Sequence, residues 1–190
     1  MKKSLLLLAA LILGGCATHW PETALLNPQV IPSNQQYYSG NRITMEGVDK
    51  REAAYVFSIK KKEKAPVLVN SSQPLNNLLA EKLAEGLRSQ GLEVGNSGTT
   101  NLTLAISTAA VTVEEKTFTY VTKSKVSLQV IADFQGNRLT KQFNMSSSKE
   151  EPGEPTMADL ESTLNQQLGS VLQQIMADEA LRGYLKGQPS

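Results

Sequence analysis

A short apolar run that ends at the only cysteine is the feature that most constrains this chain. Two lysines precede the run from Leu5 to Leu13, and two glycines separate it from Cys16. The run is too short to cross a bilayer, because a transmembrane helix needs about 20 apolar residues. Positive charge, an apolar segment and small residues, in this order, are typical of a secretory signal peptide. We therefore expect residues 1–15 to be removed.

The residues around the cysteine indicate that it carries lipid. Leu13, Gly14, Gly15 and Cys16 resemble the bacterial lipobox, in which the cysteine sulfur receives a diacylglyceryl group and the chain is cut just before it. The alternative is an ordinary signal peptide with an incidental cysteine, but lipidation explains why the thiol is needed. The sequence therefore predicts cleavage between Gly15 and Cys16 and lipidation of Cys16.

Lipidation would hold the protein at a membrane without a transmembrane helix. A lipobox cysteine typically carries two or three acyl chains such as palmitate, and two or more chains anchor stably whereas one binds marginally. Ala17 follows the cysteine, whereas in the enterobacterial sorting rule an aspartate at that position retains lipoproteins at the inner membrane. We therefore expect a protein anchored in the outer membrane that faces the periplasm.

The cysteine count and the charge balance exclude several classes of site and partner. With one acylated cysteine no disulfide can form, so the fold must rest on its hydrophobic core. Loss of Lys2 and Lys3 with the signal peptide would reduce the 19 basic residues to 17, against 18 acidic residues. A nucleic-acid partner needs a clustered basic surface, so none is expected.

Residues 16–40 predict a proline-rich tether that follows the lipidated cysteine. Its prolines lie among Asn, Gln and Ser without a sustained hydrophobic period, and proline removes backbone donors. At ~3.3 Å per residue such a tether could reach on the order of 70 to 80 Å when fully extended. Packing of four apolar side chains onto the domain would shorten this reach: Leu25, Leu26, Val30 and Ile31.

The rest of the chain, 41–186, predicts one periplasmic domain rich in strands. Alternating apolar residues predict strands over 41–48 and 53–60, joined as a hairpin by a polar turn. Further on, the apolar phase shifts by one near Thr108, as a β-bulge would cause. The strand ending at Phe134 and its return after a tight Gln-Gly-Asn turn complete a meander of long antiparallel strands.

Two amphipathic helices are predicted around the meander. Leucines at helical spacing follow Pro74 and end near Gly91, a residue suited to the left-handed end of a helix. A second stripe follows Thr156, which starts a capping-box-like pattern. The element order ββαβββα predicts the α+β class, with an antiparallel or mixed sheet of about five strands covered by two amphipathic helices.

A lysine-rich run, from Lys60 to Lys64, follows the second predicted strand. It is either a patch for anionic head groups or a polyanion, or the solvated turn of a hairpin. Four lysines interrupted by Glu63 favour the solvated turn. Three aromatic residues could form a binding patch, but core packing is favoured for Phe118 and Tyr120, and membrane contact for Trp20.

No catalytic, cofactor-binding or metal site is predicted. The only histidine, His19, lies close to the anchor and the only cysteine is acylated, which excludes Ser-His and Cys-His catalysis and the usual zinc sites. Neighbouring carboxylates such as Glu114 and Glu115 point to opposite faces of a strand and would not converge on a substrate. Phosphate-binding glycine motifs are also absent from the sequence, so the protein is expected not to be an enzyme.

Several features together resemble the YajG family of enterobacterial lipoproteins. They are the lipobox, the proline-rich tether, the leucine helix that ends in the segment from Leu87 to Val94, and a glutamine-rich C-terminal helix. The resemblance covers most of the mature chain, and only the lipobox is a specific motif. It implies an envelope location and this fold, and it brings no catalytic residues.

Two functions from different classes are consistent with these features. The first is a non-enzymatic tethering or partner-binding module, whose anchor raises its effective concentration at the membrane. The alternative is a periplasmic carrier that holds a lipid or a glycan between the helices and the sheet. A carrier should contain a contiguous apolar cavity, whereas a partner-binding module should expose an apolar patch or an open sheet edge.

Overall fold

The computed structural model describes residues 20–187, which form one mixed sheet with helices packed against it. Leu13, Gly14, Gly15, Cys16 and His19 lie outside the described residues, so their roles stay predictions.

The α+β class is confirmed. Within the described residues the sheet has eight strands rather than about five, and the order is ββββαββββαα. The elements are β1 (Thr23–Ala24), β2 (Arg42–Asp49), β3 (Tyr55–Lys60), β4 (Val67–Ser71), α1 (Leu75–Ser89), β5 (Glu93–Gly95), β6 (Thr100–Glu115), β7 (Tyr120–Phe134), β8 (Asn137–Glu151), α2 (Met157–Ala177) and α3 (Glu179–Leu185).

Strand β6 organises the sheet, because three other strands pair with it. Both β2 and β3 run parallel to β6, β2 beside Thr100–Ile106 and β3 beside Val111–Glu114, while β7 runs antiparallel to β6. The predicted hairpin between the first two strands is therefore wrong. With 16 residues, β6 is long enough to pair both strands, and pairing with this central strand satisfies their backbone groups.

The predicted bulge and the predicted meander are confirmed. The register between β6 and β7 shifts between Ile106 and Thr108, so the buried positions change from even to odd numbers along β6. Strands β7 and β8 then pair over their whole length. Their turn places Gln135 at φ 52° and Gly136 at φ 86°, the left-handed conformation that tight hairpins need.

The helices cover the sheet with the predicted leucine stripes. Helix α1 begins after Pro74, and Gly91 beyond its end has φ 88°, as expected. Helix α2 has a complete capping box between Thr156 and Asp159. The buried side chains of helices and sheet form one hydrophobic cluster, and each large apolar side chain in it contributes about 1.5–3 kcal/mol through burial.

Residues 20–40, which we call the strap, lie along the helices and the sheet edge instead of forming an extended tether. Ala24, Leu26 and Pro28 are buried and Val30 is half-buried, whereas Leu25 and Ile31 are 69 % and 70 % exposed. This alternation is the period of a strand. Of the four apolar residues expected to pack, Leu26 and Val30 do so. A two-residue strand, β1, also pairs with β4.

Side chains of α2 hold the strap by binding its backbone, in place of a neighbouring strand. Because Gly169 has no side chain, the strap can pass close to the helix: a Cβ there would lie 2.5 Å from the carbonyl oxygen of Gln29. Near the end of the strap, the backbone N–H groups of Tyr37 and Tyr38 donate to the Gln90 carbonyl. The bonds to α2 are Leu25 N to Glu161 Oε1 (2.8 Å), Asn27 N to Asn165 Oδ1 (2.8 Å) and Gln173 Nε2 to the Ile31 oxygen (3.2 Å).

Candidate interaction surface

Three loops adjoin at one end of the sheet, which we call the basal end: 61–66, 116–119 and 152–155. Trp20 belongs to the same end, because the residues before β1 run beside the start of β4. Lys60 pairs with Glu114, which brings the β3–β4 loop beside the β6–β7 loop. Tyr120 pairs with Glu151, which brings the β8–α2 loop to the same place. The β7–β8 turn lies at the opposite end of the sheet.

Two of the three aromatic side chains of the basal end differ from the sequence prediction. Phe118 was expected in the core but is 86 % exposed, because it lies in the loop between β6 and β7. Trp20 was expected to contact the membrane but is buried in the hydrophobic cluster, since the strap folds back onto the domain. Tyr120 is partly buried against the core, as expected. Leu68 is 52 % exposed on β4.

One ion pair fixes two of the basal loops to each other, and a second joins the third loop to the end of β6. Lys61 Nζ lies 2.7 Å from Glu154 Oε1, and this carboxylate raises the pKa of the lysine. Lys116 Nζ lies 2.9 Å from Glu114 Oε2 and lowers the pKa of that carboxyl. Only part of the lysine-rich run is therefore a simple solvated turn. Within the described residues, Lys62 and Lys64 are exposed and form no ion pair.

A polar cleft of about 600 Å³ opens between the basal half of β8 and the first turns of α2. Ser147, Lys149 and Glu151 line one wall. At its edge, buried Gln167 donates to the hydroxyl oxygens of Ser124 (2.5 Å) and Ser147 (2.9 Å). The opposite wall consists of Asp159, Ser162, Thr163 and Gln166. Hydroxyl, amide and carboxylate groups of this kind can bind a polar ligand or a peptide backbone.

The outer edge of β8 is open along the same cleft. Among the described strands, β8 pairs only with β7, and residues 146–150 are exposed. An open edge presents unpaired N–H and C=O groups that can accept another strand. Lys149 and Glu151 form an ion pair of 2.7 Å on this segment, and such charges discourage unspecific pairing.

The described residues offer little for catalysis or for an internal ligand. Residues 20–187 contain no group of three His, Cys, Asp or Glu that could hold a metal ion. No helix in this part of the chain is long and apolar enough to span a bilayer. Packed apolar side chains fill the space between the sheet and the helices, which is where a lipid carrier would need a cavity.

Likeness to one known structure supports the fold. The chain resembles protein XCC0632 from Xanthomonas campestris, with a TM-score of 0.62 and 9% identity over 87% of this chain and 98% of that one. Weaker likeness extends to an uncharacterized protein (TM-score 0.45, 16% identity, 82% and 98% covered). The rare lipoprotein B of Shewanella oneidensis is also similar (TM-score 0.36, 11% identity, 72% and 95% covered).

Comparison of sequences identifies the family. No curated protein matches this chain. Residues 28–186, however, match the family described as uncharacterized lipoprotein. This match includes the strap from Pro28, the whole sheet beyond β1 and all three helices. The resemblance noted in the sequence is therefore confirmed at the level of a lipoprotein family. Because the match covers most of its length, this chain belongs to the family of uncharacterized lipoproteins.

Proposed function

We propose that this protein is an outer-membrane lipoprotein of the YajG type that binds an envelope partner and catalyses no reaction. Membership of a lipoprotein family supports an anchored protein. The lipobox from Leu13 to Cys16 supports cleavage after Gly15 and acylation of Cys16, and Ala17 supports the outer membrane as destination. The domain over 41–186, with the strap before it, would then face the periplasm.

The observation that carries the partner-binding role is the open edge of β8 beside the polar cleft. An extended segment of an envelope protein could add to this edge as a further strand, with main-chain hydrogen bonds giving affinity. Small side chains at Ser146 and Ser148 leave the backbone of the edge accessible. Side chains of the added strand would lie over the cleft, whose polar walls would select among sequences.

One observation favours a glycan-binding role as the second candidate. The cleft beside β8 has hydroxyl and amide groups on its walls and is large enough for a small sugar. The lipid-carrier version of this alternative is weaker, since apolar side chains fill the space between sheet and helices.

Crosslinking in intact cells tests the partner-binding role. A photoreactive residue is introduced at Ser148 on β8, and a matched variant carries it at Glu81, an exposed position on α1. We expect one recurring protein adduct from position 148 that position 81 does not give. Recovery of lipid or glycan alone from position 148, with no recurring protein, would contradict the proposal.

The Cys16→Ser variant tests the anchor. We expect it to lose globomycin-sensitive processing and membrane association, because the acyl chains are the proposed attachment. Persistence of both properties would refute lipidation at Cys16.

A further inference from the structure

The strap leaves the domain at the basal end. Strand β1 runs parallel to β4, with Thr23 beside Asn70 and Ala24 beside Ser71. The hydrogen bond from Asn70 N to the Glu22 oxygen (3.1 Å) continues this alignment by one residue. Residues before Thr23 therefore run beside the start of β4, toward the β3–β4 loop. Burial of Trp20 fixes the point at which the described chain begins.

The distance from this point to the proposed anchor is short. Four residue steps separate Cys16 from Trp20, and a fully extended chain covers at most ~3.6 Å per residue, or about 14 Å here. A domain on the long tether that the sequence predicts could move far from the bilayer. With the strap folded back, Trp20 would stay within about 14 Å of an acylated Cys16, which keeps the basal end near the membrane surface.

The basal end presents groups suited to that surface. Phe118 is 86 % exposed at the tip of the β6–β7 loop, and aromatic side chains favour the membrane–water interface. Lys62 and Lys64 are exposed in the adjoining loop, where ammonium groups can contact lipid phosphates. Glu63 lies between them and partly offsets their charge, so Phe118 is the main contact.

We infer that the basal end rests on the lipid head groups of the bilayer that holds the anchor, with the Phe118 ring in the interface. This inference rests on the proposed lipidation of Cys16. The opposite end of the sheet, with the β7–β8 turn, then faces away from the membrane. The cleft and the open segment of β8 lie close to the lipid surface, within reach of a partner bound to the same membrane.

Fluorescence quenching by brominated lipids tests this orientation. The lipidated protein carries Trp20→Phe together with Phe118→Trp, and the matched control carries Trp20→Phe with Asn137→Trp at the opposite hairpin. Both are reconstituted in vesicles of phosphatidylethanolamine and phosphatidylglycerol with brominated acyl chains. We expect at least a two-fold greater loss of emission for the tryptophan introduced at position 118. Equal quenching at both positions, with the protein still bound, would overturn the inference.

Protease protection of the unmutated protein gives a second measurement that needs no substitution. Cleavage by trypsin after Lys116 should be slower on vesicles than in detergent, while cleavage after Arg138 at the opposite end should not change. Equal rates after Lys116 in both media would contradict the inference. If the protein instead separates from the vesicles and its mass lacks acyl groups, the proposed anchor itself fails.

Discussion

The strap and the meander of β6, β7 and β8 reach ordered structure by opposite routes. Each meander strand pairs with the strand next to it in sequence, through short turns. The strap finds its partners far away, since Leu25 bonds to a residue 136 positions later in the chain. A local pattern is sufficient to predict structure when the partner is local. It is insufficient when a distant helix supplies the hydrogen bonds.

The two regions also differ in what stabilises them. The meander has continuous backbone ladders on β7 and a buried face of large apolar residues. Beyond the two residues of β1, the strap depends on a few buried side chains and on single hydrogen bonds to helix side chains and to the Gln90 carbonyl. Segments with few buried contacts open at lower free energy than core strands. The strap should therefore unfold locally before the meander does.

The largest expected effect distinguishes a docked strap from a free tether. Leu26 is fully buried, so Leu26→Ala should lower the free energy of unfolding by about 2–4 kcal/mol. The neighbouring Leu25→Ala should cost less than about 0.5 kcal/mol, because Leu25 is 69 % exposed. Urea denaturation measures both. Leu128→Ala in the meander gives the reference for a core leucine, and equal, small effects at Leu25 and Leu26 would mean that the strap is a tether after all.

A glycine substitution tests how closely the strap approaches α2. In a helix, alanine is usually more stable than glycine by up to about 1 kcal/mol, but a Cβ at Gly169 would lie 2.5 Å from the backbone oxygen of Gln29. Gly169→Ala should therefore destabilise the protein by about 1–3 kcal/mol and speed proteolysis within the strap. Gly183→Ala in α3, where a Cβ has no neighbour within 4 Å, should be neutral or stabilising. A stabilising Gly169→Ala would exclude the close approach.

Sequence patterns were sufficient for the parts of the fold with strong periodicity. The leucine stripes of both long helices, the Thr156 capping box and the bulge near Thr108 each follow from local spacing. The hairpin between β2 and β3 did not form, because β6 offers both strands a longer partner that lies downstream in the sequence. The strap did contain a signal, the alternation from Ala24 to Val30, which its prolines obscured.

The basal end was harder to predict than the fold. Phe118 is an apolar residue of the kind found in cores, and only the register of β6 with β7 places it in the exposed loop between them. The pairing of Lys61 with Glu154 joins loops 93 positions apart, so the lysine-rich run alone could not indicate it. Cys16 and its lipobox remain the clearest functional signal in the sequence, and they are a prediction about residues that the structure does not describe.

The smallest expected effect concerns the contact that joins the meander to the helices by charge. Asp178, between α2 and α3, accepts from Lys141 Nζ (2.5 Å) and from Leu181 N (2.8 Å). Burial raises the pKa of this carboxyl, but the hydrogen bonds from Lys141 and from backbone N–H groups outweigh burial, so its pKa lies below the usual range. Because its pKa is lowered, the ionised carboxylate stabilises the folded protein at pH values above the ordinary aspartate pKa of about 3.9. That stability is lost as the pH falls through the lowered value.

Replacing Asp178 by asparagine isolates the charge, because asparagine is also a good N-cap residue. Asp178→Asn should lower the free energy of unfolding by about 0.5–1 kcal/mol at pH 7, since the ion pair is partly exposed. The difference from the unmutated protein should shrink as the pH falls below about 3.9. Urea denaturation at both ends of this range measures it, and Lys141→Met should show the same pH dependence. A constant difference at all pH values would assign the effect to packing, and the meander would then be held to α2 and α3 without a contribution from the Lys141–Asp178 ion pair.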